Sequence, residues 1–300
     1  MKKVLVIYYS QSGQLKDIAQ QIAVPFLNDE EIHLDFYAIE PQNDFPFPWD
    51  NASFFGAFPE TFRQISQEIN TPPQNILNTD YDLIIFHYQV WFLSPSLPTM
   101  SFLKSSYAKK IIQNKPIVTI NGSRNMWALA QEKVKKLLVE NQANLVGNIA
   151  LTDRNINLIS VVTIVDWMFS GIKRKAYGIF PLPGVSDKEI KESSKFGKII
   201  KGYLKSNDYK EMQPDLIANG AVEFRWFLIS MDKKANKMFK VWSALIFKFP
   251  KQRTTLLKCF KVYLFFAIWI LSPIVHLIEL ILFPLRYFSI QKQKKYFQGI

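Results

Sequence analysis

Cysteine is almost absent from this 300-residue chain, where Cys259 stands alone. A single thiol excludes an intramolecular disulfide framework and a Cys-rich metal site. No signal-peptide pattern opens the chain. Its first residues run straight into an apolar strand, Val4-Leu5-Val6-Ile7-Tyr8, and a cytoplasmic location is expected. Acidic residues are nearly missing from positions 231–300, where 13 Lys/Arg face only Asp232 and Glu279. Residues 1–230 carry 24 Lys/Arg and 23 Asp/Glu, so the net charge of +12 belongs to the tail. The basic tail adjoins a long apolar run, which favours anionic membrane lipid over nucleic acid as its partner.

What the chain does have is apolar material, 48% of its residues, and 15% aromatics. That is enough for one α/β domain of about 200 residues and an appendage. Strands are predicted at 4–8, 32–36, 81–86, 116–120 and 145–151 from short apolar or alternating runs rich in β-formers. Between them, Leu15, Ile18, Ile22 and Phe26 mark one face of a helix, and residues 125–141 form another. Ser186 and Glu189 have the capping-box spacing and start a basic amphipathic helix reaching about Ser206. The stretch from Pro41 to Pro59, with Phe45-Pro46-Phe47-Pro48-Trp49 inside it, reads as an ordered loop beside a site. Strands alternating with helices imply a five-stranded, parallel, doubly wound sheet. The α/β domain is assigned to residues 1–206, with an apolar insertion at about 156–172, and the basic apolar tail to 207–300.

In such a sheet a ligand binds outside the carboxyl ends of the strands, where the strand order reverses. Three loops should meet there. Ser10, Gln11, Ser12, Gly13 and Gln14 combine two hydroxyls, a glycine and a helix N-terminus, which suits a phosphate. The loop has no Walker lysine and does not suit a triphosphate with magnesium. Gln89, Val90, Trp91 and Phe92 follow a buried strand, and either ring would give a planar cofactor a stacking wall. Asn121, Gly122 and Ser123 allow a close backbone approach, and Arg124 adds a fixed cation. Each loop alone also reads as ordinary capping or packing. In this order they point together to a flavin.

The pattern Tyr9-Ser10-Gln11-Ser12-Gly13, with Tyr81-Asp82-Leu83-Ile84-Ile85 and then Gln89-Val90-Trp91-Phe92, resembles flavodoxins and NAD(P)H-dependent flavin reductases over residues 1–152. That resemblance implies a flavodoxin-like fold and an FMN cofactor. It departs at Leu15, where flavodoxins place a threonine on the phosphate. A longer signature joins the Phe-Pro-Phe-Pro-Trp loop, Gly122-Ser123-Arg124-Asn125-Met126-Trp127 and Leu151-Thr152-Asp153-Arg154. It resembles the flavodoxin-like protein of dialkylresorcinol and flexirubin-type pigment clusters over nearly the whole chain. That family carries the name of a condensing enzyme, while pathway logic assigns it an aromatase step: oxidation of a 2,5-dialkylcyclohexane-1,3-dione to the resorcinol. A condensation normally needs an activated Cys paired with His. Here Cys259 borders the apolar run and His33, His87 and His276 are scattered, so oxidation is the better chemical reading. The resemblance then implies a lipid-like alkylated cyclic dione as substrate, Arg124 stabilising its enolate, and Tyr88, His87 or Asp153 as the base. Tyr88 and His87 also read as core residues ending a strand.

Residues 262–284 form an apolar run of 23 in which 15 are Leu, Ile, Val or Phe. At about 1.5 Å per residue it can cross a bilayer core of roughly 30 Å. Basic residues flank both ends and Ser272-Pro273 divides the run, so a re-entrant or in-plane helical hairpin on the cytoplasmic face of the inner membrane is expected. A soluble hairpin covering the α/β domain is the alternative. Residues 224–249 read as a membrane-surface helix. Two other functions remain open at this level: an NAD(P)H-dependent quinone or flavin reductase, and a non-catalytic scaffold that holds a ketosynthase of the same pathway at the bilayer.

Overall fold

Short apolar runs close into one sheet in the computed structural model, which describes residues 1–300. Its strands are β1 (Lys2–Tyr8), β2 (Ile32–Ala38), β3 (Leu83–Trp91), β4 (Ser94–Pro95), β5 (Pro116–Ser123) and β6 (Asn144–Thr152). The order across the sheet is β2-β1-β3-β5-β6 with every neighbour parallel, and the two-residue β4 pairs antiparallel with β3. This is the flavodoxin-like order, and its reversal lies between β1 and β3. The sixth strand was not legible: β3 runs on to Trp91 and turns back on itself, so Gln89–Pro95 is a hairpin and not an open loop.

The helices are α1 (Gln14–Leu27), α2 (Asn51–Gly56), α3 (Phe58–Arg63), α4 (Gln74–Asn78), α5 (Leu97–Lys104), α6 (Ser106–Ile112) and α7 (Ala128–Glu140). They continue as α8 (Asn157–Ser170), α9 (Asp187–Glu192), α10 (Ser194–Ser206), α11 (Met212–Ala218), α12 (Trp226–Lys248), α13 (Arg253–Phe266) and α14 (Ser272–Gln298). Successive strand residues point to opposite faces. Val4, Val6, Leu83 and Ile85 therefore pack under α1, α10 and α11, while Leu5, Ile7, Ile84 and Phe86 pack under α5, α6 and α7. Both faces are covered, which is why these strands read as unbroken apolar runs. On α1, Leu15, Ile18, Ile22 and Phe26 are buried as their spacing requires. Gly197 lets α10 lie directly on α1, because a Cβ there would fall 2.0 Å from the Ile22 carbonyl oxygen.

Three local expectations need correction. The second half of the Pro41–Pro59 stretch is helical, since Asp50 caps α2 by accepting from the Ala52 and Ser53 amides at 2.8 and 2.9 Å. The basic amphipathic helix is two helices, α9 and α10, which meet at Ser193. The expected hairpin at Ser272-Pro273 does not form. Instead 250–298 is one helix of 49 residues, carried past Pro273 by a π-helical turn at Ala267–Leu271. A widened turn gives a proline ring room that a regular turn denies it. This helix is long and apolar enough to cross a membrane, and only 11% of its most apolar stretch is buried.

Residues beyond 206 also meet the sheet. Met212 and Leu216 of α11 share the core with Val118 and Ile149, and Val222 bridges to Ala150 at the sheet edge. On the opposite side α12 docks through Asp232, whose Oδ2 accepts from the Leu129 amide at 3.0 Å in the first turn of α7. Its Oδ1 has no partner, and burial pushes the carboxyl up to about 7. A carboxyl raised in the folded state favours folding below its unfolded pKa, near 4, and that contribution is lost as pH rises towards 7. Denaturant titrations from pH 4 to 8 should show Asp232→Asn overtaking the wild type by about 1–4 kcal/mol as pH rises.

Candidate functional site

The carboxyl ends of β1, β3 and β5 open on a cavity of about 870 Å³, at the upper end of the range for cofactor sites. Of the residues singled out in the sequence, Gln11, Ser12, Gln14, Gln89, Val90, Trp91, Phe92, Gly122, Ser123 and Arg124 line it. Ser10, Gly13 and Asn121 stand just behind the wall. Ser10 Oγ accepts from the Lys16 amide at 3.1 Å, and Gly13 caps α1 with φ +89°. The buried Asn121 accepts from Ser123 Oγ at 3.0 Å. The amides of Gly13, Gln14 and Leu15, at the start of α1, donate to no group in the chain. Such a helix end attracts an anion through free N–H groups and the helix dipole.

The loops are held in place by side chains that the sequence offered as ligands. Gln11 Nε2 donates to the Pro46 carbonyl at 2.8 Å, drawing the aromatic loop over the start of α1. Gln14 forms a two-way pair with the main chain of Val185. Its Nε2 donates to the carbonyl and its Oε1 accepts from the amide, each at 3.0 Å. Gly184 makes room for this pair: at φ +80°, a Cβ would sit 2.5 Å from Gln14 Oε1. The hairpin places Phe92 and Leu93 at φ 46° and 59°, a backbone that bulky residues adopt only when packing compels it. Phe54 and Phe58 brace the Phe92 ring at 4.9 and 5.4 Å, and Phe45 and Trp49 brace Trp91 at 4.9 and 5.3 Å.

Besides Lys261 of the tail, the wall carries one cation, Arg124. Its Nη1 donates to the Asn157 carbonyl and to Asn157 Oδ1, at 3.2 and 3.0 Å, so the first residue of α8 fixes it. Burial pushes the guanidinium down to about 10, with Asp153 acting against the fall, and it stays charged at neutral pH. The three proposed bases do not reach the cavity. His87 is fully buried in β3, neither ring nitrogen has a partner, and burial holds its pKa near 4. Tyr88 points into the other core and donates to Gln131 Oε1 at 2.6 Å, with its pKa raised by burial. Asp153 is consumed locally, accepting from the Asn155 amide at 2.9 Å and Ser160 Oγ at 2.7 Å in the turn that leads into α8. His87 and Tyr88 sit one or two residues from Gln89 of the wall and strand alternation turns them inward, while Asp153, just after β6, is turned inward by the Asn155 amide and the Ser160 hydroxyl.

Two parts of the wall were missed. Asp166 on α8 is the one carboxylate lining the cavity, gripped by Arg174 through both oxygens at 3.0 and 2.9 Å, which lowers its pKa. Leu264, Phe265, Ile268 and Trp269 of the tail close the apolar side. Pairing of Asp166 with Arg174 eight positions on could have been noticed as a charge pair. Nothing local marked the tail as wall.

No family model and no curated protein matches the chain. Solved structures with a similar arrangement do exist. A flavoprotein in complex with FMN from Lactobacillus acidophilus is 20% identical, with a TM-score of 0.38 over 50% of this chain and 93% of that one. A flavodoxin from the domain Archaea is 13% identical, with a TM-score of 0.37 over 68% of this chain and 99% of that one. Oxidised flavodoxin 1 from Bacillus cereus is 16% identical, with a TM-score of 0.35 over 66% and 95%. At these identities the likeness is one of fold alone. The strand order carries the flavodoxin-like assignment.

The Gln14–Val185 clamp yields a direct test. Gly184→Ala should cost about 1–3 kcal/mol in thermal denaturation and speed amide exchange at Val185. Gly178→Ala is the control, because Gly178 has a similar φ of +74° but open space around it. Equal losses in both variants would show backbone strain alone, without the clamp.

Proposed function

We propose that this chain is an FMN-dependent oxidoreductase that converts a 2,5-dialkylcyclohexane-1,3-dione to the dialkylresorcinol at the cytoplasmic face of a membrane. The observation that carries the reading is one cavity with two kinds of wall. Its polar wall is the start of α1, the Gln89 side chain and Arg124; its apolar wall is α8 and the tail. FMN fits the polar side. The unpartnered amides of Gly13 to Leu15 suit its phosphate, and Trp91 and Phe92 offer flat faces to its ring system. Gln89 Nε2, buried and without a partner, suits an acceptor on the ring edge. When bound, FMN supplies the two-electron acceptor that a dehydrogenation needs.

The remaining work falls to the chain. Arg124, fixed by Asn157, places a positive charge where a dione enolate oxygen would carry its negative charge. Asp166, kept ionised by Arg174, accepts the ring proton; a 1,3-dione is acidic enough for a weak base. It takes the role first offered to Tyr88, His87 and Asp153. Phe265, Ile268 and Trp269 give alkyl substituents an apolar bed continuous with the exposed tail, so a lipid-like substrate enters without crossing water.

The deciding experiment follows flavin absorbance of detergent-purified, FMN-reconstituted protein under anaerobic conditions. Bleaching by the dione with formation of the resorcinol is the expected result. Bleaching by NAD(P)H alone would replace this reading with the reductase, and absence of flavin binding would favour the scaffold for a ketosynthase. Arg124→Ala should lower turnover about 10²-fold or more with FMN retained. Undiminished turnover would remove Arg124 from the chemistry.

A further inference from the structure

A second cavity, of about 390 Å³, lies between α12 and α14, away from the flavodoxin-like cleft. Lys233, Lys234, Lys237 and Arg286 line it against one carboxylate, Glu279. Glu279 is buried and bonded to Lys234, to Ser230 Oγ at 2.7 Å and to Arg286 Nη1 at 2.7 Å. Lys233 donates only to the neutral Gln293, and Lys237 has no ion pair. Asp232, the only carboxylate on α12, faces away towards Leu129. Positive charge is thus left over in a partly enclosed space, an arrangement that a phosphate oxygen cluster would neutralise.

The neighbouring surface says what carries that phosphate. On the outward side of α14, Leu277, Ile281, Leu285 and Phe288 form an exposed apolar row at helical spacing, with Leu285 84% and Phe288 87% exposed. Ser289 on the rim of the crevice lies one helical turn from Leu285 of the row, so the edges of the charged crevice and the apolar row adjoin on one helix. A soluble phosphate would use only the crevice. We propose that this crevice is a headgroup site for an anionic phospholipid, whose phosphate meets Lys233, Lys237 and Arg286 while its acyl chains lie along the α14 row. The proposal rests on the membrane contact assigned to the tail and goes beyond it by giving the headgroup a defined site between α12 and α14.

The test is co-flotation of the full chain with phosphatidylcholine vesicles, with and without phosphatidylglycerol, at physiological salt. Neutral vesicles report the apolar run, and the gain on adding the anionic lipid reports the crevice. Lys233→Gln/Lys237→Gln should lose most of that gain, about fivefold for each charge removed, while binding to neutral vesicles persists. Lys251→Gln/Lys258→Gln, equal in charge but placed just before and on α13, should keep it. Equal losses in the two pairs would mean diffuse attraction by the basic tail and would overturn the site. Calorimetric binding of inorganic phosphate as tight as that of the lipid would overturn the lipid source. Failure to float with neutral or anionic vesicles would overturn the membrane contact itself.

Discussion

The side chain of Phe58 sits where four separate stretches of chain meet. Its ring stacks on Phe260 of α13 at 3.8 Å and 8°, and edges against Phe239 of α12 and Phe92 of the hairpin at 5.2 and 5.4 Å. Phe55, Phe62, Leu93 and Ile246 complete this small core, which is separate from the two that flank the sheet. Aromatic pairs at such distances each add about 0.5–1.5 kcal/mol beyond the burial of their area. The Arg253 guanidinium locks the same junction from outside, with two bonds of 2.8 Å to Glu60. Through this junction the tail becomes a wall of the cleft. Without it, α13 would leave the cavity open on its apolar side.

The same junction accounts for the strained hairpin. Phe92 and Leu93 take left-handed backbone angles that a two-residue turn demands and that glycine or asparagine normally supplies. Two phenylalanines bracket the Phe92 ring and Leu93 is buried, so packing holds what local preference opposes. The aromatic loop after β2 is secured in the same way at its other end, where the Trp49 amide donates to the Met168 carbonyl of α8 at 2.8 Å. Loop, hairpin, α8 and tail therefore form one connected frame around the polar groups. A site built like this lines one half with apolar side chains and keeps the charges that line it, Arg124, Asp166 and Lys261, on fixed partners.

Legibility varied with the range of the interaction. The strands, α1, the Ser186 cap and the three converging loops depend on neighbours a few residues away, and each could be read from spacing. Ten of the singled-out residues line the cavity because the strand order brings those three loops together. The proposed bases went astray for a local reason that spacing does not encode. His87 and Tyr88 follow the pleat into opposite cores, and Asp153 finds Ser160 and the Asn155 amide before it can face a ligand. Gln14 was legible as a residue at the start of α1, but its partner lies 171 positions away at Val185.

From the sequence alone come the parallel α/β sheet, the anion-attracting start of α1, the neutral domain with a basic tail and an apolar run long enough for a bilayer. All of these follow from composition and from periodicities of two or about four residues. Only the tertiary structure decided that β3 turns back as a hairpin, that the tail continues as one helix past Pro273 and that it walls the cleft. The hairpin rests on Phe54 and Phe58 packing on Phe92 from another loop, the unbroken helix on a widened turn beside Pro273 that hydropathy does not mark, and the wall on contacts between residues more than a hundred positions apart, such as Phe58 with Phe260.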